Sequence, residues 1–238
     1  MTGKGHLWFG VNTGIATAVI TKIPLTPITI GAGLALVVVS SLAADLDEPS
    51  SKLGRTIIKP GLVKIVLILI TISILFLFGK SLSTSIVIIC GVLLFSYSLK
   101  DNPIRNVGLT IVGTIAVLFG IWDALVWLMG IGSFLMIAPW TKHRTVTHTI
   151  WAVVFWYVIC LDIQNRYMLP CFSWLGTITY ASHLVGDSLT KAKVKWLWPI
   201  LNIPIGISLI RVGSNKGDII EHVINCTFTI VLGIIIFK

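Results

Sequence analysis

The chain has 238 residues, 55% of them hydrophobic and 11% charged, with a mean hydropathy of +0.96. Soluble domains are about 45–50% apolar even when Gly is counted, so this composition excludes an ordinary soluble domain and indicates a membrane protein. The formal net charge of +9 raises nucleic-acid binding, but no basic stripe interleaved with aromatic residues occurs, and no nucleic-acid partner is expected.

A helix that crosses the hydrocarbon core needs about 17–25 apolar residues, fewer where flanking groups snorkel or the bilayer thins. Nine runs approach that length: 7–21, 25–44, 62–79, 84–99, 106–122, 124–140, 148–163, 172–190 and 222–237. The expected fold is therefore an all-α polytopic membrane protein of about 8–9 transmembrane helices forming one domain. The first run follows Lys4 but offers no small-x-small cleavage site, and reads as a retained helix. Residues 192–215 are broken by Pro199, Pro204, Gly206 and Gly213 and read as a re-entrant or surface-lying segment, with Trp196 and Trp198 as interfacial anchors. Cys90, Cys160, Cys171 and Cys226 form no CxxC pair and read as small packing residues.

With a cytoplasmic N-terminus and a crossing at each run, fourteen of the eighteen Lys and Arg fall on the inner side and only Lys22, Lys80, Arg166 and Lys238 outside. That is the asymmetry of the positive-inside rule, and it accounts for the basic balance as orientation and attraction to anionic lipid. The same threading brings His6, His143, His148, His183 and His222 to the inner face, with Asp45, Asp47, Glu48, Asp187 and Glu221. Imidazoles and carboxylates from distant segments thus converge on one membrane face, the expected location of the active site.

Taken in chain order, His6 in "GKGHLWF" stands just before the first run and alone is unremarkable. "ADLDEP" at 44–49 ends the second run with two carboxylates, which either offer hard oxygen ligands to one ion or make a solvated helix end stopped by Pro49. "HRTVTH" at 143–148 spaces its histidines i, i+5, off one helical face, so they meet only if the first lies in a loop before the helix. Thr145 or Thr147 would cap that helix, and Arg144 beside its N-terminus would suit a phosphate. The bland alternative is a pair of snorkelling histidines. "SHLVGD" at 182–187 places His183 and Asp187 at i, i+4, able to share a metal, to pair as imidazole and orienting carboxylate, or simply to brace the helix. Ionisable groups near a bilayer are costly, which favours function. His222 after Glu221 reads as a structural residue. GxSxG, P-loop, HExxH and paired ExxH motifs are absent.

These blocks resemble the LexA-regulated, inner-membrane-associated metal-dependent hydrolase family: Gly5–His6, "DLDEPSSKLG" at 45–54, "HRTVTHT" at 143–149, "YASHLVGDSLT" at 180–190, "WLWP" at 196–199 and "GDIIE" at 217–221. The resemblance covers roughly the first 60 residues and those from about 140 onward, which makes 62–140 an inserted set of about four helices. It departs at Glu48, where His is frequent, at Thr149 in place of Ser, and at Lys193, where Gly is common. It implies a divalent metal, zinc first with Mn or Mg as alternatives, at His6, Asp45, Asp47, His143, His148, His183 and Asp187, supported by Glu221, Thr147 and Thr190. In outline the family is also similar to zinc-dependent phospholipase C and single-strand nuclease enzymes.

The expected function is metal-assisted hydrolysis of a phosphoester, such as a phospholipid head group, at the cytoplasmic face of the inner membrane. Asp47 or Glu48 would serve as general base and Arg144 would hold the substrate phosphate. The alternatives are an ion- or proton-coupled transporter using the same His/Asp cluster, which should show repeat symmetry and midplane charges, and a metal-free membrane scaffold.

Overall fold

A computed structural model of the chain describes residues 1–78, 88–89 and 101–238. Among the described residues all regular structure is helical: α1 (Gly3–Ile20), α2 (Pro27–Ala43), α3 (Lys52–Ile57), α4 (Pro60–Phe78), α5 (Asp101–Trp122), α6 (Val126–Ile137), α7 (Ile150–Tyr167), α8 (Phe172–Ser188) and α9 (Asn215–Ile236). Short 3-10 turns at Ala44–Asp47, Ala138–Trp140 and Val146–His148 punctuate them.

The helix starts follow their local chemistry. Thr26 and Thr29 form a reciprocal capping box on α2, with Pro27 in the first turn, where its missing N–H costs nothing. The Thr2, Ser51, Thr149 and Ser214 hydroxyls accept from backbone N–H groups at the starts of α1, α3, α7 and α9. Thr149 rather than Thr145 or Thr147 therefore caps α7, leaving the whole of "HRTVTH" ahead of the helix.

Helix α8 lies at the centre, packed against α1, α2 and α7. It is rich in Ser and Thr, yet most of it is buried, because Thr177, Thr179 and Ser182 return their hydroxyl protons to carbonyls three or four residues back. Where α1 crosses α2, a Cβ on Gly10 would lie 2.4 Å from Ser41 Cβ, so only Gly allows this approach. Asn12 on α1 donates to Thr229 Oγ1 and the Asn225 carbonyl of α9, at 2.9 and 3.2 Å, tying the last helix to the first. Polar bonds of this kind hold helices together where lipid supplies no hydrophobic drive.

Among the described residues three helical stretches are long and apolar enough to cross a membrane: Pro27–Asp47, Asp101–Trp122 and Asn215–Ile236; Val126–Trp140 is apolar but shorter. This corrects the expectation of eight or nine. The apolar runs mark helices, but α1, α7 and α8 carry enough polar or ionisable side chains, such as Asn12, Asp162, Arg166, His183 and Asp187, to fall short of a span. The expected helix at 84–99 falls outside the described residues except for 88–89.

Residues 62–140 were expected as an insertion, and the helices described there are built into the fold. A Cβ on Gly130 of α6 would meet Ile159 of α7 at 2.5 Å, and α5 reaches the turn after α2. Residues 192–215 fold back through isolated bridges Thr190 to Ile210 and Val194 to Ile205, exposing Ile200, Ile203, Ile207 and Leu209. Trp196 is half-buried and its indole N–H bonds Ser188 Oγ at 3.0 Å, which pins this segment to α8. Cys160, Cys171 and Cys226 are free thiols.

Candidate metal centre

The 3-10 turn that follows α2, the "HRTVTH" loop, the start of α1 and the last turn of α8 meet at one point. His6, Asp47, His148, His183 and Asp187 are buried there, while Asp45, His143, Glu48 and Arg144 are partly exposed and form the open side.

Hydrogen bonds determine which nitrogen of each imidazole is free. His183 Nδ1 lies 2.7 Å from the Ser41 carbonyl, which can only accept, so Nδ1 carries the proton and Nε2 presents a lone pair. His148 Nδ1 faces Thr147 Oγ1 at 2.9 Å and Asp47 Oδ2 at 3.3 Å, and Thr147 itself donates to Asp47 Oδ2 at 2.7 Å. Nδ1 is again the protonated position and Nε2 the free one. His143 Nδ1 bonds Asp47 Oδ1 at 2.8 Å, which turns its Nε2 toward Glu48 Oε2, 3.9 Å away.

The freed atoms converge. His148 Nε2 lies 3.4 Å from Asp187 Oδ2 and 4.0 Å from Asp45 Oδ1, while His183 Nε2 lies 3.3 Å from Asp45 Oδ1 and 4.0 Å from Asp187 Oδ2. His148 Nε2, His183 Nε2 and Asp187 Oδ2 are buried with no hydrogen-bond partner. Lone pairs crowded against carboxylate oxygens repel one another unless a cation lies between them. Ligands about 2.0–2.1 Å from a tetrahedral Zn²⁺ sit roughly 3.3–3.4 Å apart; the 3.3 and 3.4 Å separations match such an ion, and the two of 4.0 Å would have to shorten around it. Overlapping groups His6/Asp45/His183, Asp45/His143/His148 and His148/His183/Asp187 each bring their donor atoms within 4.8 Å of one another.

The remaining residues orient that set. Asp47 accepts from His143, Thr147, His148 and the Arg144 N–H, so both its oxygens are engaged and it braces the loop. Asp187 Oδ1 takes the Met1 α-amino group at 2.8 Å, Arg144 Nη2 at 3.0 Å and His6 Nε2 at 3.1 Å, leaving Oδ2 for the centre. His6 stacks on His183 with ring centroids 3.6 Å apart. Arg144 adopts φ 64°, a left-handed conformation held by its N–H bond to Asp47, and its guanidinium also reaches Thr190 Oγ1 at 3.1 Å. Glu221 accepts from the N–H and hydroxyl of Thr2, steadying the start of α1; a Cβ on Gly5 would lie 1.8 Å from Glu221 Oε1. His222 stays outside the cluster, its Nδ1–H donating to the Asp218 carbonyl.

His148 lies outside the three apolar spans. Burial opposes its charged form, but hydrogen bonds and charge from Asp187 and Asp47 prevail and raise its pKa to about 9.

One contributor was not legible as a site residue. Arg105 of α5 is fully buried and donates to the Glu48 carbonyl and, at 3.5 Å, to the Leu46 carbonyl, while Asn106 beside it bonds the Pro139 carbonyl at 2.8 Å. It clamps the turn that carries Asp45 and Asp47. The only signal in sequence was a charge within "DNPIRNVGL" next to an apolar run.

Residues 1–237 match a family model described as YdjM inner membrane protein. No curated protein and no solved structure matches the chain.

Proposed function

The chain belongs to the YdjM inner membrane protein family, and from that premise we propose that it is a membrane-bound, metal-dependent hydrolase acting on a phosphoester, with its centre at the cytoplasmic face. The observation that carries this reading is the set of three buried, partnerless donor atoms, His148 Nε2, His183 Nε2 and Asp187 Oδ2, facing Asp45 Oδ1 at 3.3–4.0 Å.

Asp45, His148, His183 and Asp187 would hold the ion, and this mixed nitrogen and carboxylate set suits Zn or Mn. When bound, such an ion supplies Lewis acidity and lowers the pKa of a coordinated water toward about 7. Asp47 fixes the tautomers and ring planes of His143 and His148, as carboxylates do behind metal-bound histidines. Glu48 and His143 stand at the exposed edge, where His143 Nε2 or Glu48 Oε2 can take a proton from water. Asp47 has no free oxygen for that task, which favours Glu48 of the two candidate bases. Arg144 holds Asp187 through Nη2, and Thr190 Oγ1 and the Lys193 carbonyl through Nη1, and its partly exposed position at the rim supports a role in meeting a phosphoryl oxygen. The exposed isoleucines of 200–207 would keep the mouth at head-group level, where lipid phosphoesters are the first substrates met.

The test is metal analysis of detergent-purified protein, wild type beside His148→Ala and Asp187→Ala, followed by a phosphodiester and phospholipid hydrolysis screen. The reading expects metal in the wild type, loss in both variants and metal-dependent turnover. Metal-free wild-type protein prepared without chelator would overturn it, and tight metal without turnover would favour ion handling over hydrolysis.

A further inference from the structure

A cavity of about 530 Å³ opens between the start of α1, the start of α3 and the first turns of α9, within the roughly 300–1,000 Å³ of small-molecule sites. Its charge is divided. Lys4 and Lys52 stand exposed at its rim and make no ion pair among the described residues. Glu221 and Asn225 form its buried part, and Asp218 is the half-buried carboxylate on its α9 side.

Asn225 is fully buried and its Nδ2 donates to the Glu221 carbonyl at 3.0 Å, which identifies the other side-chain atom as the oxygen. That Oδ1 is buried without a partner. A buried acceptor left unpaired is costly, and in a cavity that also holds two carboxylates the group that would satisfy it is a donor, ideally cationic. The rim lysines call for an anion. Asp218, Glu221 and Asn225 all lie on the first turns of an apolar span, whose adjacent Ile219 and Val223 are exposed, so the cavity sits where that helix would meet the head-group layer.

We propose that this cavity is a binding site for a zwitterionic phosphoamine head group, with the phosphate on Lys4 and Lys52 and the ammonium directed to Asn225 Oδ1, Glu221 and Asp218. The inference goes beyond the hydrolase reading and does not depend on it, because the only residue common to both, Glu221, reaches the metal centre through Thr2 and the start of α1 and is not one of the residues proposed to hold the ion. The shared chemistry could come from an aminophospholipid in the bilayer or from a free phosphoamine.

The test measures binding to full-length protein in nanodiscs of phosphatidylcholine, whose quaternary amine has no N–H to donate. Free O-phosphoethanolamine, inorganic phosphate and ethanolamine are titrated separately, and phosphatidylethanolamine or phosphatidylglycerol is doped into the discs and retained lipid read by native mass spectrometry. We expect phosphatidylethanolamine to be retained at least tenfold over phosphatidylglycerol, with Asn225→Ala losing most of that preference and Lys4→Ala/Lys52→Ala lowering phosphatidylethanolamine retention severalfold. The lysine pair is exposed, so its variant tests the site even if Asn225→Ala fails to fold. Free phosphoethanolamine competing at equal occupancy would identify a soluble ligand of the same class. Equal binding of inorganic phosphate or phosphatidylglycerol, or retention unaffected by the lysine pair, would overturn the proposal. The preference should persist in His148→Ala, so loss of metal chemistry and loss of this site give different results.

Discussion

His148 Nε2 and Asp187 Oδ2 face each other across 3.4 Å, both buried and both without a hydrogen-bond partner. With Nδ1 carrying the proton of neutral His148, this is a contact between two acceptors, and only a proton or a metal ion at the shared point makes it favourable.

The proton and the ion therefore compete. The His148 pKa is raised to about 9, so below that pH the folded protein without metal holds a proton that the ion must displace. Metal affinity should rise with pH by about tenfold per unit and level off above pH 9. Competition titrations with a zinc chelator between pH 6 and 10 measure the slope; a flat profile would remove His148 from the ligand set.

Metal removal should also lower stability. An ion present at a hundredfold over its dissociation constant stabilises the folded state by about 2.7 kcal/mol, or roughly 5–10 °C in Tm for a chain of this size. Thermal unfolding in detergent with and without chelator should show that loss, and Asp187→Asn should start from the lower value and not respond to chelator.

Asp47 braces ligands without being free to act as one, so its substitution should differ in kind from that of Asp187. Asp47→Asn should weaken metal binding about 10–100-fold while leaving the stoichiometry intact at saturating metal. Complete loss of stoichiometry would make Asp47 a ligand.

Arg105→Met should destabilise the fold by about 3 kcal/mol, because the Leu46 and Glu48 carbonyls lose a charged donor inside the protein. Metal affinity should fall with it, although Arg105 touches no ligand side chain. Unchanged metal binding in a folded Arg105→Met protein would show that the turn keeps its shape unaided.

Orientation is checked separately. A cysteine introduced at Lys142, beside His143, should react with an impermeant maleimide only from the cytoplasmic side.

Much of this protein is determined by the sequence alone. Composition requires a bilayer, apolar runs locate helices, and the polar blocks at 45–54, 143–149 and 180–190 stand out because charge is expensive in such a chain. The sequence also nominates His6, Asp45, Asp47, His143, His148, His183 and Asp187 as one group, through costly ionisable residues near apolar runs and a family resemblance, and the fold brings them together. Spacing along the chain cannot say which atom of each faces inward. That depends on the Ser41 carbonyl behind His183, on Asp47 behind His143 and His148, and on the Met1 amino group, Arg144 and His6 around Asp187 Oδ1, all contacts between segments far apart in sequence. The same holds for Arg105, indistinguishable in sequence from a topogenic surface charge, and for the number of spans, because a run apolar enough to attract notice can still carry the polar residues that a buried helix satisfies internally. Local pattern reports the cost of placing a side chain in or near lipid; which partner meets that cost is decided only when the helices pack.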